Sequence, residues 1–178
     1  MEEIKRLKRE LVHKGKVIDF YQDTMLMPNG NTTKWDLIDH KGAAAVVAVR
    51  DDGKLVMVRQ YRNALEQVTL ELPAGCVDYR GEPTIDAARR ELTEETGYTA
   101  ESLEILISIF TTVAFCNEKI DIYVAKGLKP GKQNLDENEF INVEAYDVDD
   151  LCRMIYDLEI QDSKTVAAIM AYKNKYCS

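Results

Sequence analysis

The chain has 178 residues, of which 46% are hydrophobic, and its 23 basic and 31 acidic residues give a formal net charge of -8. This size suits one domain with a sizeable core. The negative charge argues against a broad nucleic-acid or membrane surface, and no apolar run approaches the roughly 20 residues that a membrane span needs. The start "MEEIKRLKRE" lacks the apolar core of a signal peptide, so we expect a cytoplasmic protein.

The first predicted strands, residues 17–26 and 33–40, flank the turn "MPNGN". They predict an N-terminal β-hairpin subdomain over residues 1–41, which precedes a main domain over 42–178. The stretches "AAAVVAV" and "KLVMVRQY" follow, joined by "DDG". They predict a second hairpin with one buried face.

A helix is predicted over residues 83–96, where Pro83 suits the first turn and Gly97 suits a left-handed cap. Strands near 106–112 and 120–126 precede a loop over 127–134. Two helices are predicted at the end, one through about residue 158 and one from Asp162 or Ser163 to about 176. This order lacks regular βαβα alternation and predicts an α+β fold.

Four cysteines are scattered without C-x-x-C spacing: Cys76, Cys116, Cys152 and Cys177. Neither a zinc site nor a disulfide framework is indicated, and reduced thiols are expected. His13 and His40 lie in no recognisable catalytic pattern, so structural roles are expected for both.

Three carboxylates crowd the stretch "RRELTEETGY", residues 89–98, at Glu91, Glu94 and Glu95. Residues four apart share a helix face, so Glu91 and Glu95 point the same way with Glu94 beside them. One explanation is a solvated acidic face, although like charges at this spacing destabilise a helix slightly. The other is a cation site, because hard Mg²⁺ prefers carboxylate and phosphate oxygens.

The surrounding "GCVDYRGEPTIDAARRELTEETGY" resembles the Nudix box, G-x5-E-x7-R-E-U-x-E-E-x-G-U, in which U is apolar. The positions in register are Glu82, Arg90, Glu91, Leu92, Glu94, Glu95, Gly97 and Tyr98. Six residues instead of five separate Gly75 from Glu82. We interpret this difference as one residue inserted in the turn around Tyr79 and Arg80.

The resemblance implies that Glu91, Glu94 and Glu95 are Mg²⁺ ligands, with Mn²⁺ as a substitute, and that the carbonyl of Ala74 is a further ligand. Arg90 resembles the arginine that fixes these carboxylates by ion pairing, so Arg90 and Glu94 are candidate catalytic residues. The implied fold is a Nudix-type α/β/α sandwich with a mixed sheet and a small N-terminal β-hairpin subdomain.

Outside the box, four segments resemble the ADP-ribose pyrophosphatase and nucleoside-diphosphate-sugar branch of the family: "LMPNG", "LVMVRQYRNA", "LELPAG" and "DSKTVAAI". In that branch the arginines of the RQYR stretch help to bind the diphosphate or the terminal ribose, which makes Arg59 and Arg62 candidate substrate-binding residues. A guanidinium is a planar donor fork that matches phosphate oxygens. The alternative is a pair of ordinary surface arginines on a strand.

The segment "LDENEFINV" resembles the mobile loop that carries the general base in bacterial ADP-ribose pyrophosphatases. Register with that loop favours Glu137, with Glu139 as the alternative, and a solvated acidic loop is the competing explanation. Glu118, in "FCNEKI", occupies a place where related enzymes often have a glutamate near the metals.

The branch resemblance implies Mg²⁺-dependent hydrolysis of ADP-ribose to AMP and ribose 5-phosphate. The alternatives are a pyrophosphatase for another nucleoside diphosphate sugar or a modified nucleotide, and a sensor that binds ADP-ribose without cutting it. The expected partner is a small nucleotide sugar, and neither a nucleic acid nor a membrane is expected. The resemblance also implies a twofold homodimer whose N-terminal strands are exchanged or closely shared, with Arg59 or Arg62 near the partner chain.

Overall fold

A computed structural model describes residues 3–177. The chain divides into two compact units. The first holds the described residues up to Gly42 together with 110–119, and the second holds 43–109 and the described residues from 120 onward. No helix within residues 3–177 is long and apolar enough to cross a bilayer.

The first unit contains an antiparallel sheet of strand order β1-β2-β3, formed by β1 (Lys5–Lys14), β2 (Asp19–Leu26) and β3 (Thr32–Asp39). The predicted hairpin is β2 with β3. Strand β1 was not predicted, because the spacing of Leu7 and Leu11, four apart, fits one face of a helix as well as one face of a strand, and the whole strand is exposed. Two register shifts interrupt its pairing with β2. Such bulges break the period of two by which a strand is recognised.

The second unit contains a mixed sheet whose main path is β10-β5-β4-β9-β8, with β6 paired to β5 and β7 paired to β4. Strands β4 and β9 pair in parallel, whereas the β10–β5, β5–β4, β7–β4 and β6–β5 pairs are antiparallel. The strand bounds are β4 Ala43–Val49, β5 Leu55–Arg62, β6 Gln67–Glu71, β7 Ala74–Cys76, β8 Tyr98–Phe110, β9 Lys119–Pro130 and β10 Ile141–Tyr146.

Three helices cover this sheet: α1 (Thr84–Thr96), α2 (Val148–Tyr156) and α3 (Ser163–Tyr176). Side chains of β4 alternate between two apolar clusters. Ala45 and Val47 pack in the cluster that includes residues of α2 and α3, while Ala44 and Val46 pack in the cluster that includes α1. The second unit is therefore an α/β/α sandwich, and the expected α+β class is confirmed. The expectation of one buried face for the β4–β5 hairpin was wrong, because helices bury both faces of a central strand.

The predicted helix over 83–96 is α1, and local signals explain its ends. Pro83 takes the N-cap position, and Gly97 takes a left-handed C-cap with φ 75° while its N–H donates to the carbonyl of Thr93. A β carbon at Gly97 would also approach the Gln133 nitrogen to 2.9 Å, so a larger residue is excluded on two grounds. Buried Ala88 and Leu92 fix the rotation of α1 on the sheet.

Candidate active site

Glu91 of α1 lies directly against strand β7. A β carbon on Gly75 would stand well inside 3.0 Å of the Glu91 carboxylate, closer than real β carbons come to other atoms. The Glu91 side chain is only 13% exposed. Burial raises the pKa of Glu91, and the neighbouring guanidinium of Arg90 opposes that shift. The glycine of the box therefore leaves room for a carboxylate.

Glu95, one turn further along α1, is the most deeply buried of the three box glutamates, with 3% of its surface exposed. Its Oε2 accepts a hydrogen bond of 2.9 Å from the backbone N–H of Ala74. Burial, together with the negative charges of Glu91 and Glu139, raises the pKa of Glu95 to about 8 against the effect of that hydrogen bond. A buried carboxyl with two acidic neighbours needs a proton or a cation.

Arg90 links the acidic helix to the loop before it. Its Nη1 donates to Glu91 at 2.6 Å and to Glu94 at 3.3 Å, and its Nη2 donates to the carbonyl of Cys76 at 2.9 Å. Its Nε is buried without a hydrogen-bond partner among residues 3–177. The same Nη2 lies 3.9 Å from Glu82, whose carboxylate accepts from the N–H of Asp78. The ion-pairing position expected for Arg90 is thus present in the structure.

Within residues 3–177, no three His, Cys, Asp or Glu side chains converge tightly enough to hold a metal ion as they stand. Three hydrogen bonds accompany this arrangement: Arg90 donates to Glu91 and to Glu94, and the N–H of Ala74 donates to Glu95. The carboxylate oxygens nevertheless suit a hard divalent cation. Within residues 3–177, buried Glu95 has no cationic hydrogen-bond partner.

The two candidate bases of the loop after β9 differ in their surroundings. Glu139 accepts a hydrogen bond of 3.1 Å from Gln60 of β5, and its charge raises the pKa of both Glu91 and Glu95. Glu137 is exposed. The structure thus brings Glu139 to the acidic helix.

The two candidate arginines of β5 point to opposite faces of the sheet, because they are three residues apart on one strand. Arg59 donates to Glu144 at 2.9 Å and to the hydroxyl of Tyr146 at 3.1 Å. Arg62 shares its face with Gln60, and the charge of Glu95 contributes to raising its pKa, after the hydrogen bond to Glu71. Arg62 is therefore the arginine next to the acidic helix.

Arg62 also lines an open cleft of about 520 Å³ between the β5–β6 turn and the start of α3. Leu65, Val68 and Leu158 expose apolar surface there. Glu71 and Lys164 are among its polar lining residues. The guanidinium of Arg62 therefore lies both at the cleft and beside the acidic helix.

Glu118 belongs to the first unit. Its carboxylate accepts a hydrogen bond of 2.8 Å from Thr111 and lies 3.5 Å from Nδ1 of His40. Both partners lie in that same unit.

The NUDIX domain model matches residues 39–169 of the chain. The chain belongs to the Nudix family. Its α1 is accordingly the Nudix helix, and the turn that precedes it is the Nudix loop. Enzymes of this family generally need a divalent metal ion.

Three relatives and a solved structure describe the chain's place in the Nudix family. It is 42% identical over 169 residues to the methanol dehydrogenase activator of Bacillus methanolicus and 39% identical over 169 residues to the ADP-ribose pyrophosphatase of Bacillus subtilis, covering 94% of this chain and 91% of each relative. It is 33% identical to the ADP-ribose pyrophosphatase of Mycobacterium tuberculosis, over 91% of this chain and 79% of the relative. A crystal structure of an ADP compounds hydrolase shares the fold, with a TM-score of 0.86 at 23% identity, over 98% of this chain and 94% of that one.

The sequence did not assign roles to Glu71, which the structure joins to Arg62, or to Lys164, which it joins to Glu71. Both lie in segments that resemble the ADP-ribose pyrophosphatase branch, "LELPAG" and "DSKTVAAI". Those segments could have marked the residues as candidates. Their contact could not be inferred, because 93 positions separate them in the chain.

Proposed function

We propose that this Nudix enzyme hydrolyses ADP-ribose to AMP and ribose 5-phosphate with Mg²⁺. The observation that carries the proposal is the position of Glu95. It is buried on the Nudix helix, where the charges of Glu91, Glu139 and Arg62 act on its carboxyl. The site thus offers carboxylates for a cation, a further carboxylate on a loop and a guanidinium for an anionic substrate. Identity of 39% to an ADP-ribose pyrophosphatase supports ADP-ribose as that substrate.

Glu91, Glu94, Glu95 and the Ala74 carbonyl would hold the divalent ion, which neutralises diphosphate oxygens and lowers the pKa of a bound water when present. Mn²⁺ offers the same coordination chemistry and would substitute for Mg²⁺. Arg90 keeps Glu91 and Glu94 in place before the cation arrives.

A carboxylate of the 135–139 loop accepts the proton of the attacking water. Glu139 is favoured by its place beside Glu91 and Glu95, and Glu137 is favoured by register with related loops. The water oxygen bonds to one phosphorus, the bond from that phosphorus to the bridging oxygen breaks, and the two phosphate monoesters leave. Arg62 binds the diphosphate from the face of the Nudix helix.

The test is hydrolysis of ADP-ribose by purified protein with Mg²⁺, with products separated by chromatography. Equal amounts of AMP and ribose 5-phosphate are expected, and Glu95→Gln protein should yield neither at a comparable rate. Binding without products would support the sensor instead. A panel of other nucleoside diphosphate sugars and modified nucleotides would reveal a different preferred substrate.

A second candidate function is the activation of methanol dehydrogenase, favoured by 42% identity to a protein of that name over 94% of this chain. The discriminating assay adds the purified chain to methanol dehydrogenase and follows alcohol oxidation. Stimulation that survives in Glu95→Gln protein would point to a contact between the two proteins. Stimulation that is lost in that variant would point to the hydrolytic site.

We also infer that the chain is a cytoplasmic homodimer with a dimerising N-terminal subdomain over 1–41 and a Nudix domain over 42–178. Cys116, Cys152 and Cys177 form no disulfide within residues 3–177, as suits a reducing compartment. Strand β1 is a sheet edge that exposes Leu7 and Leu11, which supports a second copy of the chain as its partner. Arg59, on the face opposite to Arg62, is our candidate for a position near that partner.

A further inference from the structure

Glu71, at the end of β6, has both carboxylate oxygens fully engaged. Its Oε1 accepts from Arg62 Nε at 2.7 Å and from the Thr69 hydroxyl at 2.6 Å, and its Oε2 accepts from Arg62 Nη2 at 2.7 Å and also from Lys164. Only 3% of its side chain is exposed. Although burial acts to raise its pKa, Arg62 and Lys164 lower the pKa of Glu71 to about 2. Glu71 therefore stays ionised over the whole physiological range.

Lys164 reaches this carboxylate from the first turn of α3. Its Nζ is also 2.9 Å from Asp162, which caps α3 by accepting from the N–H of Thr165 at 3.1 Å. Only 12% of the Lys164 side chain is exposed. The Thr165 hydroxyl also donates to Asp162, at 2.6 Å. Because Asp162 is held in this way, it anchors Lys164 to the start of α3. A helix and a strand thus hold Glu71 from two sides.

As a result, two of the three guanidinium nitrogens of Arg62 are held by hydrogen bonds. Nε and Nη2 of Arg62 are held by Glu71, whereas Nη1 has no hydrogen-bond partner in the described part of the chain. The side chain is 37% exposed, lines the cleft and lies within the field of Glu95. A free arginine would lose rotamer entropy on being ordered by a ligand, whereas Arg62 is ordered beforehand.

We propose that Glu71 and Lys164 are positioning residues that hold Arg62 ready to bind the substrate's diphosphate. This inference rests on the proposed function. Glu71 fixes the plane of the guanidinium, and Lys164 fixes Glu71. Neither residue needs to touch the substrate.

The experiment is a double-mutant cycle on KM and kcat for ADP-ribose, using the full chain with Mg²⁺. In Glu71→Gln protein the side-chain amide turns donors toward Arg62 or Lys164, so the guanidinium loses its fixed position. Loss of a charged hydrogen-bonding group of this kind should raise KM about tenfold, with kcat within about twofold. Arg62→Ala should raise KM at least as much. Adding Glu71→Gln to Arg62→Ala should then change KM no further.

Lys164→Gln is the second variant, because the Lys164 side chain is 12% exposed and that of Glu71 only 3%. It should raise KM severalfold, and Lys164→Arg should restore most of the loss. Lys173→Gln is the matched control: Lys173 also lies on α3 and donates to an aspartate, Asp149, at 2.6 Å. Its KM should equal that of the wild type.

The outcomes separate the two levels of the proposal. Wild-type protein that does not cleave ADP-ribose would overturn the proposed function and this inference with it. Wild-type cleavage with an unchanged KM in Glu71→Gln and Lys164→Gln proteins would overturn the inference alone. The inference would also be overturned if Glu71→Gln raised KM as much in the Arg62→Ala protein as in the wild type, because its effect would then not pass through Arg62.

Discussion

The carboxylate of Glu91 occupies the space that a β carbon on Gly75 would need. Gly75 pairs with Ala44 in the sheet, so its place in β7 is set independently of the Nudix helix. The atoms in conflict belong to the far end of a flexible side chain, which can move aside. A side chain at position 75 would therefore relocate the Glu91 carboxylate while leaving the backbone intact.

Gly75→Ala should accordingly lose activity without unfolding. A displacement of about 1 Å at a catalytic group can cost about 100-fold in rate, and we expect a loss of that order in kcat/KM. The melting temperature, followed by circular dichroism, should fall by no more than a few degrees. Near-native turnover in the folded variant would show that the position of the Glu91 carboxylate does not matter for catalysis.

Glu95 should make the metal-free protein less stable as the pH rises. Its pKa is about 8 in the folded chain against an ordinary 4.5. Between these values the folded state keeps a proton that the unfolded state releases. The stability that this proton contributes is full below about pH 4.5 and is lost as the pH rises through about 8.

Glu95→Gln should remove this loss, because the amide carries no charge and its oxygen can still accept from the N–H of Ala74. In EDTA at pH 8 we expect the variant to melt several degrees above the wild type, and the difference should shrink toward pH 5. Glu94→Gln is the control, since the Glu94 side chain is 35% exposed. A difference in melting temperature between wild type and Glu95→Gln that stays constant across this pH range would contradict the raised pKa of Glu95.

The general base should be found by comparing two neighbouring variants. Glu139→Gln should lower kcat by about 100-fold or more with little change in KM, because a base acts in the transition state. Glu137→Gln, two residues away and exposed, should stay within about tenfold of the wild type. Steady-state kinetics on ADP-ribose measures both. The opposite order of effects would assign the base to Glu137, as register with related loops predicts.

Assembly should depend on the exposed side chains of β1. We expect the 20.3 kDa chain to sediment at about twice its mass at micromolar concentration. Replacing Leu7 and Leu11 together by Glu should give a monomer, since charges on an edge strand oppose pairing. Val113→Glu is the control, because Val113 is an exposed apolar residue of the same unit outside β1. Wild-type protein that sediments as a single chain would refute the dimer.

The Nudix helix could be derived from the sequence because every determinant of it is local. Pro83 and Gly97 set its ends, and the positions of its carboxylates follow from helical spacing. The β4–β5 hairpin is equally local, with a short turn between two apolar runs. Stretches of this kind carry their structural information within a few residues, so the box and its helix were predictable without a fold.

The tertiary structure alone decided which groups meet at the site. Burial against the sheet, together with the approach of Glu139, raises the pKa of Glu95. The alternation of β5 places Arg62, and not Arg59, on the side of the Nudix helix. Lys164 reaches Glu71 across 93 positions of sequence. Desolvation and charge proximity depend on distances in space, and a local pattern contains no information on segments that approach each other only after the sheet has formed.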